Sequence, residues 1–157
     1  MTTDQLVEGA SVERRRWLSV LAKARPAELA AAWEAVADHP QVRAIRAPET
    51  GLVLVRGRAG GSGDAFNLGE MTVTRAAVRL EGGLAGVGYV AGRDRRHAEI
   101  AATVDAMMQS RDHRALVEAP VVERLARAQE ARRQESARRA AATKVDFFTM
   151  TRTRGPQ

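Results

Sequence analysis

The chain has no cysteine among its 157 residues. This absence excludes disulfide bonds, thiolate nucleophiles, cysteine zinc sites and cysteine-held iron–sulfur clusters. The three histidines, His39, His97 and His113, lie far apart in the sequence and show no metal-ligand spacing. The sequence therefore predicts no metal site and no cofactor bound by this chain.

Long hydrophobic runs are also missing. No apolar segment approaches the ~20 residues that a membrane-spanning helix needs. The first residues lack the positively charged segment and apolar core that are typical of a secretory signal. We therefore expect a cytoplasmic protein with no membrane association.

Aromatic residues are scarce, with three Phe, two Trp and one Tyr, and much of the hydrophobic fraction of 45% is alanine. Two of the phenylalanines nevertheless stand side by side near the end of the chain, in T-K-V-D-F-F-T-M (143–150). Adjacent aromatics left exposed favour aggregation. The pattern predicts a partner-docking segment made by Val145, Phe147, Phe148 and Met150. The alternative is that this segment folds back onto the chain's own thin core.

The net charge is +6 and the pI is near 11.0. Residues 120–144 hold six arginines and one lysine against three glutamates. Such a field attracts nucleic acid, anionic metabolites or an acidic protein surface, and does not choose among them. Arginine pairs on a helix are suited to phosphates, but no recognition-helix or base-stacking signature accompanies them. A small basic nucleic-acid-binding module is therefore the alternative function.

The first part of the sequence predicts two short helices that pack as a hairpin. Residues 1–10 have the character of a loose tail, and Ser11 is a suitable N-cap for the helix that follows. Pro26 suits the first position of the second helix, because its fixed φ matches helical geometry. Asp38-His39-Pro40 should end that helix.

The middle of the chain has β-like segments at 42–47, 51–58, 70–80 and 84–90. Glu81-Gly82-Gly83 predicts a tight hairpin turn between the last two segments. Short connections of this kind predict antiparallel pairing.

Asp94 is a natural N-cap for a third helix, with its apolar residues on one face: His97, Ile100, Ala101, Val104 and Met108. After a break near 110–120, a long polar helix is expected from Val121.

The predicted fold class is α+β, with a small antiparallel sheet, flanking helices and a long C-terminal helical arm. We expect an α+β domain over residues 1–110 and the helical arm with its docking tail over 111–157.

The glycine-rich segment G-R-A-G-G-S-G (57–63) is a candidate phosphate loop at first sight. It neither opens a helix nor ends in Gly-Lys-Ser/Thr, so the nucleotide-binding motifs do not apply. A flexible hairpin loop is one interpretation. An anion-binding turn formed by backbone N–H groups of Gly60, Gly61 and Gly63 is the other.

Four arginines of the predicted sheet form a second candidate anion site. Arg56 and Arg58 share one strand face, as do Arg75 and Arg79, because side chains alternate with period two. If the two faces coincide, four guanidinium groups line one edge of the sheet, where they suit phosphate or carboxylate. A solvated outer face and salt bridges to a partner chain are the alternatives.

His97 is the weak catalytic candidate. Its position in the first turn of a helix favours the neutral imidazole, which is the form a general base needs. No Ser, Cys or carboxylate stands at a spacing that completes a recognisable triad. The alternative is a partly buried histidine that fixes the start of the helix.

Several motifs run at consistent spacing from about Arg15 to Arg152. They are R-R-W-L-S-V-L-A (15–22), P-A-E-L-A (26–30), I-R-A-P-E-T-G-L-V (45–53), G-G-S-G-D-A-F-N-L-G-E (60–70), T-R-A-A-V-R-L (74–80), G-R-D-R-R-H-A-E (92–99) and V-D-F-F-T-M-T-R (145–152). In this order they resemble the G subunit of the bacterial carbon–phosphorus lyase core complex, the PhnG family.

The resemblance implies a role in phosphonate metabolism within a complex containing the H, I and J subunits. With the H, I and L proteins, the G subunit takes part in joining methylphosphonate to C1 of the ATP ribose, with release of adenine. The product is α-D-ribose 1-methylphosphonate 5-triphosphate, and ATP is a substrate of the complex. The resemblance assigns nucleosidase chemistry to the I subunit, the expected direct partner. It carries over no catalytic residue, so a non-catalytic subunit is expected.

Overall fold

The computed structural model describes residues 3–143, with the backbone alone for residues 3–10. The helices are α1 Thr3–Ala22, α2 Pro26–Glu34, α3 Arg95–Gln109, α4 Arg114–Val117 and α5 Arg124–Ala142. The strands are β1 Val42–Arg58, β2 Ala65–Leu80 and β3 Ala85–Ala91. The predicted α+β class is confirmed, with helices flanking a small antiparallel sheet and a long helix at the C-terminal side.

The sheet has three strands in the order β1-β2-β3, and both pairs are antiparallel, as predicted. β1 pairs with β2 from Val42↔Leu80 to Arg58↔Ala65, whereas β3 pairs with β2 only from Val73↔Ala91 to Arg79↔Ala85. The sheet therefore narrows to two strands beyond its three-stranded base. We call this two-stranded part, residues 51–58 and 65–72, the ribbon.

The predicted division of residues 42–58 into two strands is wrong. β1 is a single strand, and Pro48 lies inside it. Proline is tolerated there because β1 is an edge strand, where a missing N–H interrupts no ladder. The pairing instead shifts register between Ala44 and Arg46 and between Arg46 and Glu49.

The hairpin turn at residues 81–83 is confirmed. The Leu80 N–H donates to Leu84 O at 2.9 Å, and the Gly83 N–H donates to Leu80 O at 3.0 Å. Gly82 and Gly83 have φ of 96° and 95°, in the region that favours glycine. The two glycines therefore allow β2 to turn directly into β3.

The core lies between α3 and the base of the sheet, and small residues bring the two layers close together. A Cβ placed on Gly86 would lie 2.0 Å from the Ala102 carbonyl oxygen, and one on Gly88 would lie 2.0 Å from that of Ala98. No larger residue fits without moving the backbone. The expected alanine-rich core is thus a close helix–sheet contact that needs glycine on the strand side.

Two N-terminal helices pack on the same core through Trp17, Leu21 and Leu29, which are all buried. Pro26 occupies the first turn of α2, as predicted. The prediction that the first helix begins at Ser11 after a loose tail is wrong, because α1 begins at Thr3 and Ser11 lies inside it. Residues 3–10 contain no proline, so the helix can extend through them.

The predicted start of α3 is confirmed, because the Asp94 side chain accepts a hydrogen bond from the His97 N–H at 2.9 Å. The predicted break over 110–120 is confirmed only at its start, where Ser110 ends α3 in an extended conformation and residues 111–113 form a turn. The chain is helical again in α4, and a π-helical turn at Glu118–Glu123 then leads into α5. Pro120 has no N–H to donate, and a wide turn accommodates the missing bond.

The long C-terminal helix is held at its beginning. Val121, Val122 and Leu125 are buried in the main core. Every residue from Arg133 to Thr143 is exposed. The shallow apolar stripe expected from the sequence therefore anchors only the first turns of the helix.

Between Thr3 and Thr143, no helix is both long and apolar enough to cross a membrane.

Candidate interaction surface

Within residues 3–143, helices cover only one face of the base of the sheet. On β3, Gly88 and Val90 point to the core and are buried, whereas Val87 and Tyr89 point away and are 42% and 49% exposed. Arg75 on β2 is exposed on the same outward side. This outer face is an open surface with aromatic, aliphatic and cationic side chains.

The ribbon carries a concentration of exposed large hydrophobic residues. These are Leu52, Leu54 and Leu68, each 62% exposed, Phe66 at 47% and Met71 at 43%. A soluble protein rarely exposes a contiguous apolar patch unless the patch takes part in binding. Phe66, the phenylalanine in the described part of the chain, is therefore at the surface.

Both faces of the ribbon are apolar. Leu52 and Leu54 follow each other with period two and share one face. Phe66 pairs with Gly57 on the opposite face, and a Cβ on Gly57 would lie 2.4 Å from Leu68 Cδ1. Leu68 therefore lies over Gly57, and its side chain would have to shift if a larger residue stood there. A partner can contact the ribbon from either side.

The four arginines predicted as one anion site form two separate groups. Arg56 pairs with Asn67 near the tip of the ribbon, whereas Arg75 lies about eight residues further along β2, roughly 26 Å away at ~3.3 Å per residue. Arg58 lies with Arg56, and Arg79 lies beyond Arg75 at the base. The structure therefore does not bring the four guanidinium groups together.

Arg75 is already paired within the chain. Its Nε donates to Glu49 Oε1 at 2.6 Å, and Arg46 donates to the same oxygen at 2.5 Å. The hydrogen bond from Arg75, followed by that from Arg46, lowers the pKa of Glu49 below its ordinary value. The carboxylate therefore neutralises part of the positive charge at this end of the outer face.

Arg79 has a different neighbour. It lies directly opposite Arg43 in the β1–β2 register, and like charges in that arrangement repel. Within residues 3–143, neither arginine forms an ion pair. Anion binding at Arg79 remains a prediction, but the residue directly opposite it is Arg43, whereas Arg56 and Arg58 lie at the other end of the sheet.

The glycine-rich loop closes on itself. Gly60 has φ of 60°, and a single 3-10 turn spans Ala59–Gly61. The Gly63 N–H donates to Ala59 O at 3.1 Å, and Arg58 Nη1 donates to Gly63 O at 3.1 Å. The Gly63 donor is thus already used, so anion binding by this loop remains a prediction that rests on Gly60 and Gly61.

His97 lies inside the protein rather than in a cleft. Its side chain is buried, and Nε2 lies 2.8 Å from Leu21 O. Because a carbonyl oxygen only accepts, Nε2 donates this bond and joins α3 to the end of α1. The geometry gives His97 a structural task. In the described part of the chain, no group of three or more His, Asp or Glu could hold a metal ion.

Asp105 is a buried residue that sequence reasoning missed. Its carboxylate is fully buried and accepts from Arg14 Nη2 at 2.8 Å, Trp17 Nε1 at 2.8 Å and Val87 N at 2.9 Å. The sequence did contain an indication of it, because Asp105 is the single acidic residue in the otherwise uncharged segment A-A-T-V-D-A-M-M (101–108). Asp105 ties α1, α3 and β3 together, and so fixes the base from which the ribbon projects.

Much of the positive charge of α5 is compensated by nearby carboxylates. Arg132 Nη1 lies 2.7 Å from Glu28 Oε1, and Arg139 Nε lies 2.9 Å from Glu135 Oε1. This pairing weakens the case for a nucleic-acid-binding helix, which needs free cations facing the phosphates.

The predicted docking segment is not part of this geometry, since Val145, Phe147, Phe148 and Met150 lie outside the described residues.

Comparison with known proteins agrees with the motif order. A family model for phosphonate metabolism protein PhnG matches residues 12–153. The chain is 51% identical over 140 residues to the α-D-ribose 1-methylphosphonate 5-triphosphate synthase subunit PhnG of Rhizobium meliloti (strain 1021), and the match covers 89% of each chain. From α1 to the segment after α5, therefore, this chain belongs to the PhnG family of phosphonate metabolism proteins.

Proposed function

We propose that this chain is a non-catalytic subunit of the assembly that joins methylphosphonate to the ribose of ATP and releases adenine. The main support for this proposal is the 51% identity, over 89% of both chains, to a named subunit of α-D-ribose 1-methylphosphonate 5-triphosphate synthase. ATP is a substrate of the assembly in this proposal, and the chain itself contributes no cofactor. The use of ATP implies the cytoplasm as its compartment.

The distribution of polar groups supports a non-catalytic role. Displacing adenine requires a positioned acid or base near the reacting sugar. The two buried candidates, His97 and Asp105, are both held by structural hydrogen bonds in the core. Chemistry is therefore assigned to another subunit, and this chain completes or positions that subunit.

The exposed ribbon supports the subunit role independently of the family match. Leu52 and Leu54 stand 62% exposed on one face of the ribbon, and Phe66 and Met71 stand 47% and 43% exposed on β2. Large exposed apolar patches typically mark protein–protein interaction sites. We propose the H, I, J and L proteins as partners, with the I subunit in direct contact.

The C-terminal segment is proposed as a second docking element. Phe147 and Phe148 are adjacent, with Val145 and Met150 beside them. Because Arg132, which pairs with Glu28, is the last residue that holds α5 and the helix is exposed from Arg133 onward, its second half can carry this segment away from the core. The segment and the ribbon together give the partner two separate points of attachment.

Subunit omission tests the proposal. The five proteins are co-expressed, and adenine release from ATP and methylphosphonate is measured with each subunit left out in turn. We expect no release by this chain alone, and loss of release from the assembly that lacks it. Release by the isolated chain would overturn the non-catalytic role. Full release by the assembly without it, or failure to co-purify with any of the four proteins, would overturn the subunit role.

A further inference from the structure

The edge strand β1 has two parts with different character. Its first part, residues 42–49, carries the usual protection against edge-to-edge pairing. Pro48 removes one backbone N–H donor from the edge, and Arg43 and Arg46 add charge. Two register shifts also distort the edge between Ala44 and Glu49. Another strand cannot easily add to this part.

The second part, Thr50–Val55, has none of these devices. It reads T-G-L-V-L-V, without proline or charge, and its pairing with β2 stays in register from Thr50↔Thr74 to Val55↔Gly69. Its other edge has no strand beside it within residues 3–143, because β1 pairs with β2 alone. A regular apolar edge of this kind is a template for another strand unless something covers it.

We propose that an extended segment of another subunit adds to β1 at Gly51–Val55 as a fourth strand. This inference rests on the proposed function, since it names how the chain is held in its assembly. In strand addition, main-chain hydrogen bonds supply affinity, and the alternating side chains supply specificity. The protected first part of β1 confines the added strand to the ribbon.

The side chains of β1 define the chemistry of that segment. Leu52, Leu54 and Arg56 alternate along one face of the strand. The two leucines are each 62% exposed. Arg56 is exposed, and in the described part of the chain it forms no ion pair. The added strand should therefore present two apolar side chains at alternate positions and, at the next alternate position alongside Arg56, a carboxylate.

A second copy of this chain fits the edge less well. Antiparallel pairing of two β1 strands about Val53 would place Leu52 opposite Leu54, which is favourable, but Arg56 opposite Thr50. It would also place Arg58 opposite Pro48, which has no N–H to donate. In this register Arg56 has no carboxylate opposite it, whereas a different polypeptide can supply one.

Site-specific photo-crosslinking in the co-expressed assembly tests the contact. A benzoylphenylalanine replaces Leu54, and a control replaces Val12, which is 56% exposed on α1. We expect an adduct between this chain and one other subunit from position 54 only. An adduct of two copies of this chain, no adduct from position 54, or the same adduct from position 12 would each overturn the proposal.

Substitution and hydrogen exchange test strand addition itself. The double variant Leu52→Glu/Leu54→Glu should lower co-purification at least tenfold, whereas Val12→Glu should leave it unchanged. In the wild-type assembly, amides of 50–55 should gain protection relative to the free chain, and those of 42–49 should not. Unchanged co-purification of the double variant, or no gain in protection over 50–55, would overturn the proposal.

A charge exchange supplies the final check and separates this inference from the proposed function. Arg56→Glu should weaken co-purification, and exchanging the crosslinked partner's facing carboxylate for lysine should restore it. No restoration would overturn the pairing of Arg56. If wild-type chain does not co-purify at all, the proposed function fails. If it co-purifies while the ribbon variants have no effect, strand addition alone fails.

Discussion

Arg14 and Asp105 form a two-pronged ion pair at the edge of the core, with Arg14 Nε 3.1 Å from one carboxylate oxygen and Nη2 2.8 Å from the other. Asp105 is completely buried, whereas the Arg14 side chain is 35% exposed. Trp17 Nε1 and the Val87 N–H also donate to this carboxylate. A buried charge is tolerated because all of these donors satisfy it.

Removal of this carboxylate should destabilise the protein strongly. We expect Asp105→Ala to lower the free energy of unfolding by about 3–5 kcal/mol, because it leaves a buried indole N–H and a backbone N–H without an acceptor. Urea unfolding followed by circular dichroism measures the change. Glu123→Ala is the control, since its carboxylate is exposed and contacts Arg127 at 3.4 Å. A loss below about 1 kcal/mol for Asp105→Ala would contradict the assigned role.

Alanine at Gly86 or Gly88 should also destabilise the fold. The added Cβ would lie 2.0 Å from a backbone carbonyl oxygen of α3 in each case, so the helix would have to move. We expect a loss of about 1–3 kcal/mol or more for each substitution, measured by the same unfolding experiment. Gly51→Ala is the matched control, because its Cβ would meet nothing within 4 Å. Equal effects at Gly51 and Gly86 would rule out the close contact as the cause.

Acid should weaken the link between α4 and the π-helical turn. Arg114 donates to both carboxylate oxygens of Glu118, at 3.0 and 2.7 Å, and this lowers the pKa of Glu118 below its ordinary 4.5. A carboxyl with a lowered pKa in the folded state contributes stability above its unfolded pKa and loses it as pH falls through the folded value. The unfolding free energy should therefore fall more steeply below about pH 4.5 in wild type than in Glu118→Gln. Identical slopes would contradict this.

His97→Ala separates a structural from a catalytic role. The change removes the hydrogen bond between Nε2 and Leu21 O, so we expect a loss of roughly 1–3 kcal/mol in unfolding free energy. Adenine release per assembled complex should remain at the wild-type level. An intact complex that binds ATP but has lost turnover would instead make His97 a catalytic residue.

Phe147→Ala/Phe148→Ala tests the C-terminal docking segment. We expect co-purification with the other subunits to fall at least tenfold, because aromatic anchors often contribute about 2 kcal/mol or more each to binding. The isolated variant should keep the unfolding free energy of wild type. A large loss of stability in the isolated variant would show that the two rings seal this chain's own core. Thr151→Ala/Thr153→Ala serves as the control nearby in sequence.

The sequence predicted those elements that local signals define. Asp94 caps α3, Pro26 begins α2, and the two glycines after Glu81 turn β2 into β3, because each residue acts through its own backbone geometry. The strand boundaries were harder to predict. Pro48 suggested a break in β1, but an edge strand tolerates proline.

The candidate site was less accessible to sequence reasoning. The period-two spacing of Leu52, Leu54, Arg56 and Arg58 indicated a strand with all four side chains on one face, but not that helices would leave that part of the sheet uncovered. The coverage depends on how far β3 and α3 extend along β2, which is a tertiary property. For the same reason, the arginines of the two strands were expected together, although the register separates Arg56 from Arg75.

If another subunit covers the ribbon as proposed, the amount of this polypeptide in the cell should match the amount of that subunit. Molecules made in excess of that subunit would expose an apolar hairpin in the cell, where aggregation and degradation compete with assembly. Matched synthesis of all the components, as from one shared transcript, would shorten that vulnerable interval. The yield of this chain would then be limited by the supply of the subunit that covers it.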